Sequence, residues 1–331
     1  MGTGAWGTTF AQVLADAGAT VRMWGRNPEV VEFINSHENS RYLPGIDLPE
    51  TISATTDQAQ ALHEATLVAL VVPVAAIRQT AKAIVPHLAD GAVVMALAKG
   101  LEPETLKTVH DMLLEETGLP ASRLAVLSGP NLSREIADRN PTATVIASES
   151  METAAKLSTA CQTDYFRPYA STDIIGCEIA GATKNIIALA IGAAEGMGLG
   201  VNTRSTLITR GLAEMTRLGT TLGARPDTFA GLAGIGDLVA TCSSKLSRNY
   251  SLGYRMGTGM SLQESLELSP GVAEGARSAK PVLQLAQSKG VDMPITEAVV
   301  KVIHEGMTID QMGEVLMGRP LKADGWRIEL I

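Results

Sequence analysis

Residues 2–24 read GTGAWGTTFAQVLADAGATVRMW, and the fold is decided by how this stretch is read. Gly2, Gly4 and Gly7 stand in G-x-G-x-x-G spacing. An apolar helix over 8–17 follows, and then a strand over 20–24. Glycines so placed permit a tight turn, let backbone approach a pyrophosphate, and let the helix pack closely on a sheet. The N–H groups at the helix start, with the positive end of its dipole, face the phosphates. The order glycine loop, helix, strand is that of a dinucleotide-binding unit.

Two features depart from that pattern. Such a unit opens with a buried strand before its first glycine, and only Met1 precedes Gly2. We therefore expect the natural start to lie upstream, with roughly five or six more apolar residues. The strand over 20–24 also lacks the usual following acid; it runs into Gly25, Arg26 and Asn27. An acid there would bind a ribose 2′-hydroxyl, whereas an arginine can pair with a 2′-phosphate. Arg26 thus leans towards NADPH, or towards no strong preference; the alternative is a solvated turn arginine.

Further along, 39–45 reads as a turn-rich loop. Residues 67–74 (LVALVVPV) form a continuous apolar run rich in β-branched residues, as expected of a strand buried on both faces. A helix over 75–88 and strands over 92–98, 124–127 and 142–147 follow. Strands alternating with helices predict an α/β Rossmann-type doubly wound parallel sheet over 1–172. Ligands of such sheets sit beyond the carboxyl ends of the strands. Lys99, Gly129 and Asn131 all lie at such ends.

From 173 to 331 the pattern predicts an all-α domain. Its first helix, 174–197, reads IIGCEIAGATKNIIALAIGAAEGM. Lys184 is the one ionisable side chain between Glu178 and Glu195. Its helical neighbours are Ala180, Gly181, Ile187 and Ala188, and the three small ones leave space for something other than a side chain. A desolvated lysine has a lowered pKa suited to proton transfer; the plainer alternative is a lysine snorkelling to water. We expect the run to be too short and too interrupted for a membrane span of roughly 20 apolar residues.

A loop over 198–203 and a helix over 205–222 follow. Residues 231–238 (GLAGIGDL) carry one charge, Asp237, among glycines that either admit a ligand or cap a helix. Ser247, Arg248 and Asn249 put a guanidinium beside hydroxyl and amide groups, a set suited to phosphate. Residues 272–275 (VAEG) precede the last helices. None of the five histidines falls in these clusters, and His304, on a helix over 295–304, reads as a surface or core residue.

The whole chain has 331 residues, 45% hydrophobic and 19% charged, with net charge −8. That length suits two domains with a large core. The acidic balance argues against a nucleic-acid or anionic-membrane surface. Cys161, Cys177 and Cys242 are scattered, implying neither a disulfide framework nor a zinc site. The first residues lack the charged and apolar regions of a secretory signal. We expect a cytoplasmic protein without a metal.

Eight motifs, in order, carry a resemblance: residues 2–11 (GTGAWGTTFA), 98–102 (AKGLE), 128–131 (SGPN), 181–185 (GATKN), 202–215 (NTRSTLITRGLAEM), 231–238 (GLAGIGDL), 247–249 (SRN) and 272–275 (VAEG). Together they resemble the bacterial NAD(P)-dependent sn-glycerol-3-phosphate dehydrogenase family over nearly the whole chain. The resemblance implies reversible reduction of dihydroxyacetone phosphate to sn-glycerol 3-phosphate with NADH or NADPH, feeding phospholipid synthesis. It implies that Lys184 accepts the proton in the oxidation direction. Lys99, Gly129, Asn131, Asp237, Ser247, Arg248 and Asn249 would line the small phosphorylated substrate. Cofactor contacts would come from the Gly2, Gly4 and Gly7 loop, Ala5, Trp6, Arg26, Lys99, Ser133, Arg248, Val272 and Glu274. Ala5 stands where the family often has Ser, and Asn131 where it often has Ser or Thr.

The chemistry fits those roles. Charge builds on the substrate C2 oxygen as hydride arrives, and a cationic Lys184 would stabilise it and donate a proton. Asp237 would orient the lysine, and Arg248 would clamp the phosphate. A homodimer is expected, because helical second domains of such enzymes often pair. Three other readings remain: a hydroxyacid dehydrogenase of the same architecture, a non-catalytic NAD(P)-binding redox sensor, and a truncated product without function.

Overall fold

The computed structural model describes residues 1–39, 41–269 and 273–318. The first half runs α1 (Ala5–Asp16), β1 (Val21–Trp24), α2 (Pro28–Asn35), β2 (Glu38–Asn39), β3 (Leu43–Asp47), β4 (Ile52–Thr55), α3 (Gln58–Leu62), β5 (Leu67–Leu70), α4 (Ile77–Ile84), β6 (Val93–Ala96), α5 (Val109–Thr117), β7 (Leu124–Ser128), α6 (Ser133–Ala137), β8 (Thr142–Ala147), α7 (Met151–Ala160) and β9 (Phe166–Ser171). The expected strand over 67–74 is shorter. β5 ends at Leu70, and the chain reaches Pro73, which has no N–H to give a ladder. α4 likewise stops before Pro86, where a 3₁₀ turn, Val85–His87, takes over. Residues 39–45 lie largely in a short antiparallel hairpin of β2 and β3 rather than a plain loop.

The main sheet has the order β5-β6-β7-β8-β9. β5, β6 and β7 are parallel, with Leu67 opposite Val93 and Val94 opposite Leu124. The sheet is not parallel throughout, as the sequence led us to expect. β8 runs antiparallel to β7, with Val126 opposite Ala147, and β9 is parallel to β8. A parallel return needs a crossover of a dozen or more residues, usually carrying a full helix; the β7–β8 connection carries only the five-residue α6. β1 and β4 form a separate parallel pair. Met1 and Gly2 bridge this pair to β5. The Met1 ammonium donates to Ala69 O at 2.8 Å, Val71 N donates to Met1 O at 2.9 Å, and Gly2 N donates to Trp24 O at 2.8 Å. Burial lowers the pKa of that ammonium to about 5. Helices cover both faces, and Phe10 and Val13 of α1 pack with Met95, Ala125 and Ile146 of the sheet.

The second half is helical in its described residues: α8 (Ile174–Gly196), α9 (Val201–Thr221), α10 (Pro226–Ala230), α11 (Asp237–Ser243), α12 (Arg248–Gly257), α13 (Leu262–Glu267), α14 (Glu274–Ser288), α15 (Pro294–His304) and α16 (Ile309–Met317). α9 takes in the second half of the loop expected at 198–203, because Gly200 already serves as its N-cap. His304 is exposed.

α8 is the axis of this half, packed against α9, α11, α12, α14 and α15. The side chain of Asp173 caps it through Gly176 N at 2.9 Å, and its second oxygen accepts from Arg225 N and Thr228 Oγ1. Length does not exclude α8 from a bilayer, contrary to the sequence reading. It has 23 residues at mean hydropathy 1.6, but its most apolar window is 94% buried inside the protein. The contact with α12 is backbone to backbone. A Cβ added at Gly192 would lie 2.1 Å from Tyr250 O, and one at Gly253 2.0 Å from Leu189 O; Gly196 and Gly257 repeat the arrangement one turn on.

Candidate active site

Lys184 lies in mid-α8, 7% exposed. Its Nζ donates to Asp237 Oδ1 at 2.5 Å and to Thr241 Oγ1 at 2.7 Å. Lys99, just beyond β6, donates from Nζ to the other oxygen of Asp237 at 2.6 Å and to Gly129 O at 3.0 Å. One carboxylate therefore joins two ammonium groups from the two halves of the chain. The stem of Lys99 crosses α8 over Gly181: a Cβ there would meet Lys99 Cγ at 3.1 Å. The space beside the small residues of α8 is thus filled in part by a side chain, which corrects the sequence reading.

Burial lowers the Lys184 pKa to about 8, against the opposing pull of Asp237. Burial alone would raise the Asp237 carboxyl, but Lys184 and Lys99 outweigh it and hold the group below its ordinary value. Snorkelling to water does not describe Lys184, since its amine ends on buried partners.

The local fold explains the placement. Residues 231–238 are neither a plain cap nor a loop. A π-helix, Leu232–Gly236, runs directly into α11, whose first residue is Asp237. π-turns are rare and tend to occur at functional sites. Thr241 follows Asp237 by four residues and so shares its helix face; the sequence reading gave it no role. Asn185, beside Lys184, accepts from Asn249 Nδ2 at 2.9 Å, and Asn249 Oδ1 accepts from Gly275 N at 2.8 Å. Gly275 is needed there, because a Cβ would lie 2.4 Å from Asn185 O. Asn249 is thus a link between α8, α12 and α14 as well as a neighbour of the lysine helix.

The other expected substrate residues divide. Gly129 adopts φ 134°, and its carbonyl holds Lys99. Asn131 donates to Thr144 Oγ1 at 3.2 Å, and its Oδ1 is buried without a partner among the described residues. The Ser247 hydroxyl caps α12 through Tyr250 N at 3.2 Å. Arg248 begins α12 and is exposed. It acts electrostatically on Glu274, the first residue of α14, whose carboxyl is raised by burial. Arg248 does not touch the Lys99–Asp237–Lys184 cluster.

The glycine loop fits a dinucleotide. A Cβ on Gly2 would strike Val71 O at 2.3 Å, and one on Gly7 would strike Gly2 O at 2.3 Å, so both make close packing possible. Gly4 is different: it is the N-cap of α1, no side chain caps that end, and a Cβ there would meet nothing within 4 Å. The α1 start is thus open beside Ala5 and Trp6, with no acidic residue in its first turn. Asn39 Nδ2 ties the hairpin to this loop through Thr8 Oγ1 at 2.8 Å. Ser133 begins α6, and its carbonyl accepts from Thr9 Oγ1. Arg26 is exposed just past β1. Val272 lies outside the described residues. Among the described residues no three His, Cys, Asp or Glu side chains are grouped to hold a metal.

Comparison with known proteins agrees with this geometry. A model of the NAD-dependent glycerol-3-phosphate dehydrogenase N-terminus matches residues 1–154, and one of the C-terminus matches residues 173–314. The glycerol-3-phosphate dehydrogenase [NAD(P)+] of Streptomyces griseus is 52% identical over 98% of this chain and 96% of its own. That of Corynebacterium aurimucosum is 51% identical over 98% of both. The crystal structure of glycerol-3-phosphate dehydrogenase from Coxiella burnetii superposes with a TM-score of 0.91 at 36% identity, covering 96% of this chain and 97% of that one. With its glycine loop and its lysine–aspartate–lysine cluster, the chain belongs to the NAD-dependent glycerol-3-phosphate dehydrogenase family.

Proposed function

We infer that this enzyme interconverts dihydroxyacetone phosphate and sn-glycerol 3-phosphate with NAD(P)H, supplying glycerol phosphate for phospholipid synthesis. The observation that carries the reading is the buried Lys184 amine, hydrogen-bonded to the carboxylate that also holds Lys99. When bound, the nicotinamide supplies or takes up the hydride. Lys184 holds a proton at Nζ next to the substrate C2 oxygen and gives it up as charge builds there; in the oxidation direction the neutral amine takes it back. Asp237 fixes both ammonium groups, so they need not reorganise when the oxygen becomes negative. Lys99 and Gly129 line the substrate, with Asn131 beside them offering its unpartnered Oδ1. Arg248, with Ser247 and Asn249 at the start of α12, takes the phosphate.

The residues that would hold the cofactor pyrophosphate are Gly4, Ala5 and Trp6 at the open start of α1, with Ser133 at the start of α6. Arg26 would face the ribose 2′ position, and Glu274 and Arg248 would contact the cofactor from the helical half; Val272, also expected there, lies outside the described residues. We further propose a cytoplasmic homodimer with two domains, 1–172 and 173–331.

The test is NADPH oxidation with dihydroxyacetone phosphate against unphosphorylated dihydroxyacetone. Turnover far faster with the phosphorylated ketone than with the unphosphorylated one is expected. Equal turnover of the two would reject a phosphate-dependent enzyme, and turnover of a 2-keto acid instead would favour a hydroxyacid dehydrogenase.

A further inference from the structure

A second set of buried polar atoms lies beside residues 98–100 and makes no hydrogen bond to the ammonium groups or carboxylate of the two-lysine cluster. A cavity of about 10 Å³ sits between residues 98–100, the end of β7 at Ser128, and Cys177 and Glu178 of α8. Two side-chain oxygens on its wall, Ser128 Oγ and Glu178 Oε2, are buried and have no hydrogen-bond partner among the described residues. Both residues are more than nine-tenths buried, at 3% and 8% exposure. A buried polar atom left unpaired is destabilising, because it has lost its water and gained no partner. A single water needs about this much space and two or more polar partners.

Glu178 is not free to turn away. Its Oε1 accepts from His110 N at 2.8 Å, at the start of α5. The carboxyl is therefore anchored on one side and open on the other. Lys99 rests on the same helix, three residues further along, over Gly181. Whatever bonds both oxygens thus ties the end of β7, where Gly129 O accepts from Lys99 Nζ, to the helix carrying Lys184.

We propose that one water molecule is a fixed part of this enzyme, donating to Glu178 Oε2 and accepting from the Ser128 hydroxyl. Ser128 and Glu178 thereby act as positioning residues for Lys99. They touch neither substrate nor cofactor; they fix the end of β7 against α8, so that Gly129 O holds the Lys99 ammonium where it meets Asp237. This rests on the assignment of Lys99 to the substrate site.

The test combines a high-resolution crystal structure with kinetics of Ser128→Ala, Glu178→Gln, their double variant and Lys99→Met. Glu178→Gln keeps the oxygen that accepts from His110 N and replaces the other with a donor. The structure should show one water within hydrogen-bond distance of Ser128 Oγ and Glu178 Oε2. Each single variant should raise the KM for dihydroxyacetone phosphate about fivefold, as loss of a bond of about 1 kcal/mol would. The kcat and the KM for NADPH should stay within about twofold. The double variant should be no worse than the worse single one, because both remove the same water. An empty cavity, an unchanged KM, or multiplying effects in the double variant would overturn the proposal. So would a loss confined to thermal stability. If Lys99→Met itself leaves that KM unchanged, the Lys99 assignment fails first; if Lys99→Met raises it and the others do not, only the water fails.

Discussion

An ammonium in apolar surroundings loses its hydration, and for Lys184 this brings the pKa down to about 8. In the proposed role, reduction requires the proton on Nζ and oxidation requires it gone. Reduction of dihydroxyacetone phosphate should therefore fall off as pH rises through about 8, while oxidation of glycerol 3-phosphate should rise to a plateau above it; pH profiles of kcat/KM in both directions check this. Lys184→Met keeps the stem, so it should fold, bind NADPH and lose roughly 10²-fold or more in kcat. Lys184→Arg should not restore the rate, since a guanidinium holds its proton above pH 12 and has another shape. A Met variant within a few-fold of the parent would end the acid–base role. Arg26→Asp should shift cofactor use towards NADH, read as a lower NADPH:NADH ratio of kcat/KM; an unchanged ratio would take Arg26 away from the 2′ position. Lys184, Lys99 and Asp237 were all legible in the sequence, as a lone charge in an apolar run, a charge at a strand end, and a charge among glycines. Their sharing of one carboxylate was not, because it joins residues 138 positions apart. Thr241 and Glu178 were missed for the same reason: local spacing says nothing about which distant group a side chain will meet.

Individual elements were readable where their signals are local. The glycine loop, the apolar strands and the long apolar helix are of that kind. The reversed strand β8 and the added strand β9 were not, since the direction of a strand depends on the connection before it and on partners far away. The π-turn before Asp237 was also hidden, because glycines permit it without requiring it. Between elements, one carboxylate has a measurable consequence. Glu214 of α9 accepts from Ile295 N at 2.6 Å, and from Thr296 N and Oγ1, tying α9 to the start of α15. Burial raises its pKa from 4.5 to about 7 despite these bonds. The folded state thus keeps a proton that the unfolded chain has released between those values. The stability this brings is full below 4.5 and lost as pH rises through 7. Glu214→Gln removes the titration, so its thermal midpoint relative to the parent should rise between pH 5 and pH 8. The expected change is on the order of 1–2 kcal/mol, or at least about 2 °C. A constant difference between the two proteins would mean that Glu214 is ionised at both pH values.

At the scale of the molecule, the proposed roles place the carbonyl end and the phosphate end of the substrate on different helices: Lys184 belongs to α8 and Arg248 opens α12. Losing one partner of a desolvated charge pair costs roughly 2–5 kcal/mol. Arg248→Ala should therefore lower kcat/KM for dihydroxyacetone phosphate about thirty-fold or more, and leave the slow reaction of unphosphorylated dihydroxyacetone nearly unchanged. Equal losses on both would give Arg248 a structural or cofactor role instead. The two-domain plan was legible from the change of pattern near residue 173. The way the halves share a site was not, because it depends on Lys99, held by Gly129 O, reaching across to Asp237 of α11. The glycine contact between α8 and α12 adds one more consequence. Where side chains separate two helices, a pocket can lengthen or shorten by repacking. Here peptide units lie against peptide units at Gly192, Gly196, Gly253 and Gly257, and that spacing cannot be compressed. The two helices then act as a caliper of fixed opening, holding Lys184 and the start of α12 a set distance apart.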